Sequence, residues 1–337
     1  MKISCIFKTL LIIVLLIFAA LAFGQDKTDL SPRLHFMSGP PGSNWFALGS
    51  VLSEIFTRDN LAQTTSSSGG GVSNILNIDA GRGDLGFSVA SLLSLALNGE
   101  SDFKDRAASN VDIMARLYKQ YTYFVMRKDF AEKNDIKSVE DIIKKKIAMR
   151  FATPKPGTSS EFIIKALFEK GFDGVFDYKK TFQEWGGSVE YASYDGGADL
   201  LADNHLDCFA FSTGKIAGAV MNIENQVDVV LLPVGQEALD KLSDACGTVT
   251  LTIEPGIYKS VPESAEPVKV VGDYTCIVVR KDLPESLVYE LNKAILEHKD
   301  DLIAAIRDID ELDPKTVLPE KIPAHSGSIK FWSGKKQ

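Results

Sequence analysis

VDIMARLYKQYTYFVMRKD, Val111 to Asp129, decides how the rest of the chain is read. It is rich in Val, Ile, Tyr and Phe, which favour extended backbone. It is also much longer than an ordinary strand of about five or six residues. A run of this length suits a chain that crosses from one domain into another. An alternation of strand and helix runs before it and restarts after it.

Upstream, RLHFMSG (33–39) reads as a first strand, and Leu48, Val51, Leu52, Ile55 and Phe56 then recur at helical spacing. TTSSSGGG (64–71) reads as a polar turn, VSNILNIDAG (72–81) as a short helix with Val72, Ile75 and Leu76 inward, and DLGFSVA (84–90) as a strand. Downstream, Ser138 begins a short helix, with Asp141 at capping-box spacing. IAMRFA (147–152) is a strand, and a glycine turn leads to a helix with Phe162, Ile163, Ala166 and Leu167 on one face. LADNHLDCFAFSTG (201–214), VDVVLLPV (227–234) and YTCIVVR (274–280) each supply a strand. LPESLVYELNKAILEHKDDLIAAI (283–306) is the longest helical pattern, with Pro284 near its start, where a missing amide costs little. The tail IPAHSGSIKFW (322–332) reads as irregular.

These patterns predict an α/β protein of two lobes. Residues 1–25 are set apart, 26–127 form the first segment of lobe 1, 128–235 form lobe 2, and 236–337 return to complete lobe 1.

Residues 1–25 carry Lys2 and Lys8 ahead of the apolar run LLIIVLLIFAALAF, Leu10 to Phe23, followed by small residues in ALAFGQ. That is the pattern of a secretory signal peptide, which predicts a periplasmic location. The run is short for a membrane span. The whole chain has 337 residues, with 37 Lys and Arg against 45 Asp and Glu and a formal charge of -8. Without an arginine-rich stripe, a nucleic-acid partner is not expected. Cys208, Cys246 and Cys276 follow the leader at wide spacing, which fits neither a disulfide-stapled scaffold nor a metal site. One disulfide or three buried thiols are both compatible with them. No cofactor and no metal are expected, and a monomer is.

SGPPGSNWFALG (38–49) and TPKPGTSSE (153–161) are two helix entrances rich in polar residues and glycine. In the first, Ser43 or Asn44 can cap the helix while neighbouring amides stay available to a ligand, and Trp45 and Phe46 can cover an organic skeleton. The same residues also read as an ordinary cap with a hydrophobic staple. In TTSSSGGGVSN, Ser67, Ser68 and Gly70 are the preferred contacts of an anion-binding turn, with a plain surface loop as the alternative. In the second entrance Gly157 permits a tight turn, and Thr158, Ser159 and Ser160 supply donors. Neither PKPGTSSE nor FAFSTGK has the glycines of a nucleotide-binding P-loop.

Ser88 in GFSVA resembles a nucleophile elbow with Ala90 in place of the last glycine. None of His35, His205, His298 and His325 is placed by sequence as its base, so Ser88 reads as a ligand contact or a satisfied hydroxyl, and an enzyme is not expected. Trp185, with Tyr191 or Tyr194, can offer apolar cover from lobe 2, and Thr213 is expected at a strand end facing the cleft. His325 reads as structural before ligand-binding, and Arg116 can neutralise a carboxylate or tie the lobes.

Taken in order, SGPPGSNWFALG, SSSGGGVSNILNIDAGRGDLGFSVA, IKSVEDIIKKKIAMRFATPKPGTSSE, DNHLDCFAF, IEPGIYKSVP and IPAHSGSIKFW resemble the TAXI-type solute receptors of tripartite ATP-independent periplasmic (TRAP) transporters. The resemblance spans nearly all of the chain after its leader. It implies a two-lobed periplasmic binding protein of the type II-like plan, with a ligand cleft between the lobes. It further implies capture of a small organic acid or amino acid, such as glutamate or 2-oxoglutarate, and delivery to a TRAP-type membrane permease. Where the family reads GGVYYPLG, this chain has PPGSNWFALG, which keeps an aromatic pair and the leucine-glycine but changes the local chemistry. PGTSSE matches the family's second helix entrance and supports Thr158 and Ser159 as contacts. A sensory protein serving a membrane kinase uses the same cleft and is the alternative reading, with a secreted serine hydrolase a distant third.

Overall fold

The computed structural model describes residues 32–335; the expected signal peptide and Cys5 lie outside the described residues. The chain opens with β1 (Arg33–Met37), α1 (Asn44–Arg58), β2 (Gln63–Ser67), α2 (Gly71–Asp79), β3 (Leu85–Val89) and α3 (Ala90–Asn98). β1 pairs in parallel with β2 and β3, the arrangement that helical crossovers impose. Leu48, Leu52, Ile55 and Phe56 form the buried stripe of α1, and β3 is buried along its whole length.

β4 (Val111–Arg127) is one continuous strand and forms the spine of the molecule. Its first part pairs antiparallel with β10 (Val268–Arg280), from Val111 opposite Arg280 to Tyr121 opposite Gly272. From Tyr121 to Met126 it pairs instead with β7 (Cys208–Thr213). β10 changes partner at the same level, since Val268 to Gly272 pair with β9 (Val249–Ile253), while Thr275 to Val279 pair with β3. Two strands thus cross between the lobes side by side, exchanging neighbours at Tyr121 and Gly272.

Beyond the crossing, β5 (Arg150–Thr153) lies parallel to β6 (Ser188–Tyr191) and to β7, and β8 (Val229–Leu231) pairs with the end of β4. The full order is β2-β1-β3-β10-β4-β7-β5-β6, with β8 and β9 off that path. Ser138 caps the helix Val139–Lys144, and the Asp141 carboxylate accepts from the Ser138 amide at 3.2 Å. An aromatic cluster of Phe124, Phe151, Phe168, Tyr178 and Phe182 fills the second lobe on one side of the sheet. Tyr123, Tyr194, Phe209 and Phe211 belong to the core on the other.

Two readings of the sequence change, and for a third another boundary is proposed. Gln63–Ser67, read mostly as a polar turn, is a strand; pairing with β1 holds it at the sheet edge. The tail includes a helix, Ser326–Ser333, which His325 caps. Helix Gln236–Cys246 packs against Leu167–Gly171, with the Ala238 carbonyl beside Gly171, and β9 also belongs to the far half of β10. We therefore propose that the return to lobe 1 lies within β10 and not at residue 236. Cys208, Cys246 and Cys276 are free buried thiols. Among the described residues, no helix is long and apolar enough to cross a membrane.

Candidate functional site

The cavity lies where three helix entrances meet the crossing strands. At the first, Ser43 has extended backbone, its Oγ accepts from the Phe46 amide at 3.2 Å, and it donates to the Pro40 carbonyl at 2.6 Å. With the Phe46 and Ala47 amides bonded to Ser43, the Asn44 and Trp45 amides are the ones left facing out of the helix end. Trp45 is buried behind them. Its indole nitrogen donates to Thr275 on β10 at 3.1 Å, and its ring packs on Phe87 at 5.6 Å.

Gly70 caps α2 and is held by Asn74, a fully buried side chain. Its Oδ1 accepts from the Gly70 amide at 3.0 Å, while the two hydrogens of Nδ2 are shared among the carbonyls of Met37, Ser38 and Phe87 at 2.8 to 2.9 Å. Asn74 thereby fixes the ends of β1 and β3 relative to the helix entrance. The third entrance belongs to α4 (Ser159–Ala166). Thr158 Oγ1 accepts from the Glu161 amide at 3.2 Å and donates to the Lys155 carbonyl at 2.8 Å. Gly157 provides the positive φ, +91°, that the turn before it requires.

The lobes touch through these glycines. A Cβ on Gly70 would lie 2.6 Å from the Gly157 carbonyl oxygen, and the Ser73 amide donates to that oxygen at 3.1 Å. Lys165 on α4 also meets Asp102, after α3, at 2.8 Å. The enclosed space is about 10 Å³, room for roughly one water. This is a closed arrangement; an organic acid enters it by parting the lobes and is held with them slightly farther apart than here.

Tyr118 and Gln120 close the cavity from β4. Two residues apart on a strand, they share a face. Both are buried, at 2% and 4% exposure, yet the Tyr118 hydroxyl and Gln120 Oε1 make no hydrogen bond. Burial pushes the Tyr118 phenol well above its usual range, with the nearby Thr275 hydroxyl acting in the opposite direction. An unpaired buried polar group costs about 1–3 kcal/mol, so two of them on one cavity wall point to a ligand contact. Both lie inside the run that reads as a crossing strand. Only their unmet hydrogen bonds reveal them.

Of the residues expected to bind, Ser43, Asn44, Trp45, Gly70, Thr158, Ser159 and Thr213 line this cavity, as do Ser160, Tyr194 and Ser212. The last three satisfy one another. Ser160 Oγ accepts from the Ser212 amide at 3.0 Å, and the Tyr194 hydroxyl donates to the Ser212 carbonyl at 2.8 Å.

Ser67, Ser68, Ser88 and Trp185 are not in the lining. Ser67 Oγ pairs with His35 Nε2 at 2.6 Å, because β2 carries it to the sheet edge, and Ser68 is exposed. Ser88 is fully buried in β3 and donates to the Gly71 carbonyl at 3.2 Å. Trp185 packs on Phe182 at 5.4 Å, at the end of helix Tyr178–Glu184. The Arg116 guanidinium stacks over the Tyr274 ring at 4.3 Å. His325 Nδ1 accepts from the Gly327 amide and Nε2 donates to the Leu283 carbonyl, which makes it a structural cap. Tyr191 is exposed.

Among the described residues, none that lines the cavity carries a charge. The three helix N-termini each favour a negative group in the cavity, while the Asp308 carboxylate, outside the lining, acts on Tyr118 with the opposite sign. Asp273, opposite Gln120 in the strand pairing, is fully buried and accepts from the Ser91 hydroxyl and from the Tyr274 amide at 2.7 Å. Burial pushes its carboxyl up to about 6 against those bonds. A wider groove of about 680 Å³ lies at the far end of β4, lined by residues such as Arg127, Asp129 and Glu224. Arg127 there is already paired with Asp129 at 2.9 Å. Among the described residues, no cluster of His, Cys, Asp or Glu could hold a metal ion.

The fold has counterparts. A family model described as the NMT1-like family matches residues 36–335. The chain belongs to the NMT1-like family. Among solved structures, this NMT1-like protein is similar to MatC from Rhodopseudomonas palustris with bound malate, at 14% identity and TM-score 0.52, covering 91% of this chain and 96% of that one. It is similar to the periplasmic binding protein P5PA at 13% identity and TM-score 0.52, with the same coverage. At such identities the likeness is one of fold alone: a bilobed α/β architecture with a cleft, like that of periplasmic binding proteins. The matched family is distinct from the TAXI-type receptors, and the bilobed plan is the part of that resemblance that this fold carries.

Proposed function

We propose that this NMT1-like protein is an extracytoplasmic receptor that captures a small organic acid by closing its lobes. The observation that supports this most is the convergence of three helix entrances and two unpaired buried polar groups, Tyr118 and Gln120, on one uncharged cavity. Amides at helix ends can bind a carboxylate without a cationic side chain, and Trp45 and Tyr194 offer apolar cover. Ser43, Asn44, Gly70, Thr158, Ser159 and Thr213 join Tyr118 and Gln120 as the contacts of this reading; Ser67, Ser68, Ser88 and Trp185 do not.

The mechanism needs no bond chemistry. A solute that completes the donors of both lobes binds the closed state better than the open one and shifts the population toward it. A micromolar solute corresponds to about 8 kcal/mol, within reach of a few charge-assisted bonds plus aromatic burial. Delivery to a TRAP-type permease follows from the TAXI-type resemblance, the leader sequence supports a periplasmic location, and MatC shows the fold holding a carboxylate.

Titration calorimetry of the purified protein against mono- and dicarboxylates, with neutral sugars alongside, tests the reading. Saturable one-to-one binding of a carboxylate is expected. Binding of sugars alone would contradict it.

A further inference from the structure

The cavity that would grip an acid has nothing charged with which to grip an amine. An α-amino acid brings a carboxylate and an ammonium group, and burying an ammonium without an anionic partner carries a large desolvation penalty. Four carboxylates stand beside lining residues or their neighbours, and each is engaged or outside. Asp273 accepts from Ser91 and the Tyr274 amide. Asp308 takes the amides of Lys215 and Ile216 at 2.7 and 3.4 Å. Glu161 faces Lys179 at 3.5 Å. Asp195 stands across from Gly42 but is exposed, where water and salt screen it. The helix N-termini add positive potential, which repels an ammonium as it attracts a carboxylate.

The unpaired groups call for a neutral hydrogen-bonding partner instead. Tyr118 can donate or accept through its hydroxyl, and the Gln120 amide can do either at its two ends. Both sit on the crossing strand, between the first helix entrance and the entrance of α4.

Resting on the receptor reading above, we propose that the cavity selects 2-hydroxy or 2-oxo acids over the matching α-amino acids. The carboxylate lies at the helix entrances, and the 2-hydroxyl or 2-oxo group meets Tyr118 and Gln120. Selection arises from the absence of an anion to partner an amine. Chain length is set separately, by the walls.

The test is calorimetry with sets matched in carbon number: lactate, pyruvate and alanine; malate and aspartate; 2-hydroxyglutarate, 2-oxoglutarate and glutamate. Lactamide and dimethyl malate serve as uncharged controls. At the chain length that binds, the hydroxy or oxo acid should bind at least about 100-fold tighter than the amino acid. An amino acid that binds as tightly overturns the selectivity while leaving the carboxylate receptor intact. Controls that bind as well as the acids, or silence from every acid, overturn both.

Gln120→Glu adds the missing anion at nearly constant shape. It should shift the acid-to-amino-acid ratio by about tenfold or more toward the amino acid. An unchanged ratio overturns the placement of the 2-substituent at Gln120. The wild-type series decides the selectivity even if that variant does not fold.

Discussion

The amide of Ser73 donates to the carbonyl of Gly157 at 3.1 Å, joining the first turn of α2 to the bend that begins α4. The two residues come from opposite sides of the crossing strand, so this bond exists only while the lobes are together. The glycines around it allow two backbones to approach without intervening side chains.

Gly70→Ala should therefore act on closure rather than folding. The φ of Gly70, -169°, is open to alanine, but the added methyl would lie 2.6 Å from the Gly157 oxygen in the closed form. An affinity loss of about tenfold is expected, the order of a modest steric overlap of 1–2 kcal/mol. Calorimetry should show the loss, and the melting temperature without solute should change little. Unaltered affinity would mean that this approach is not part of the binding state.

Tyr118→Phe should separate function from stability. The hydroxyl is buried and unpaired, so removing it relieves a cost in the free protein and deprives a bound solute of a partner. Unfolding in urea should shift to equal or higher denaturant concentration, while affinity falls by about tenfold. A variant that loses stability and keeps affinity would assign Tyr118 to packing.

Asp273 gives a pH dependence of opposite sign to that of an ion-paired carboxylate. Its folded value is raised to about 6, so the native state holds a proton that the unfolded chain releases near the ordinary carboxyl value of 3.8. This contribution is fully present below about pH 4 and is lost as pH rises through about 6, at most on the order of 3 kcal/mol. Other carboxyls titrate in the same window, so the useful quantity is the stability of the wild type minus that of Asp273→Asn. Measured by denaturant melts from pH 4 to 7, this difference should favour the wild type most at the acid end and shrink as pH rises. A flat difference would contradict the assignment.

Much of the plan was legible in the residues. Val111 to Arg127 could be read as a crossing strand because a strand confined to one lobe has no use for so long a β-forming run. The two helix entrances could be read because serine, threonine and glycine have distinct roles at helix ends. The second crossing strand was only half visible. YTCIVVR reads plainly, whereas VKVVGD ahead of it ends in a glycine and an aspartate whose burial depends on strands distant in sequence.

The site was legible at its rims and hidden at its base. Ser67 and Ser68 look like Gly70 in the text, but Ser67 is the last residue of β2, paired with β1 and bonded to His35, and Ser68 is exposed just beyond it; neither lines the cavity. Trp185 looks like ligand cover, yet its ring joins Phe182. Tyr118 and Gln120 carry no local motif. Their importance is set by where β4 changes partners, one residue beyond Gln120, a property of the assembled sheet.

The central claim is that one solute, held by both lobes, draws them together. Small-angle X-ray scattering of the purified protein, with and without a saturating carboxylate identified by calorimetry, measures this directly. The account predicts a smaller radius of gyration on binding and loss of most of that compaction in Gly70→Ala. Saturable binding with an unchanged radius would contradict it.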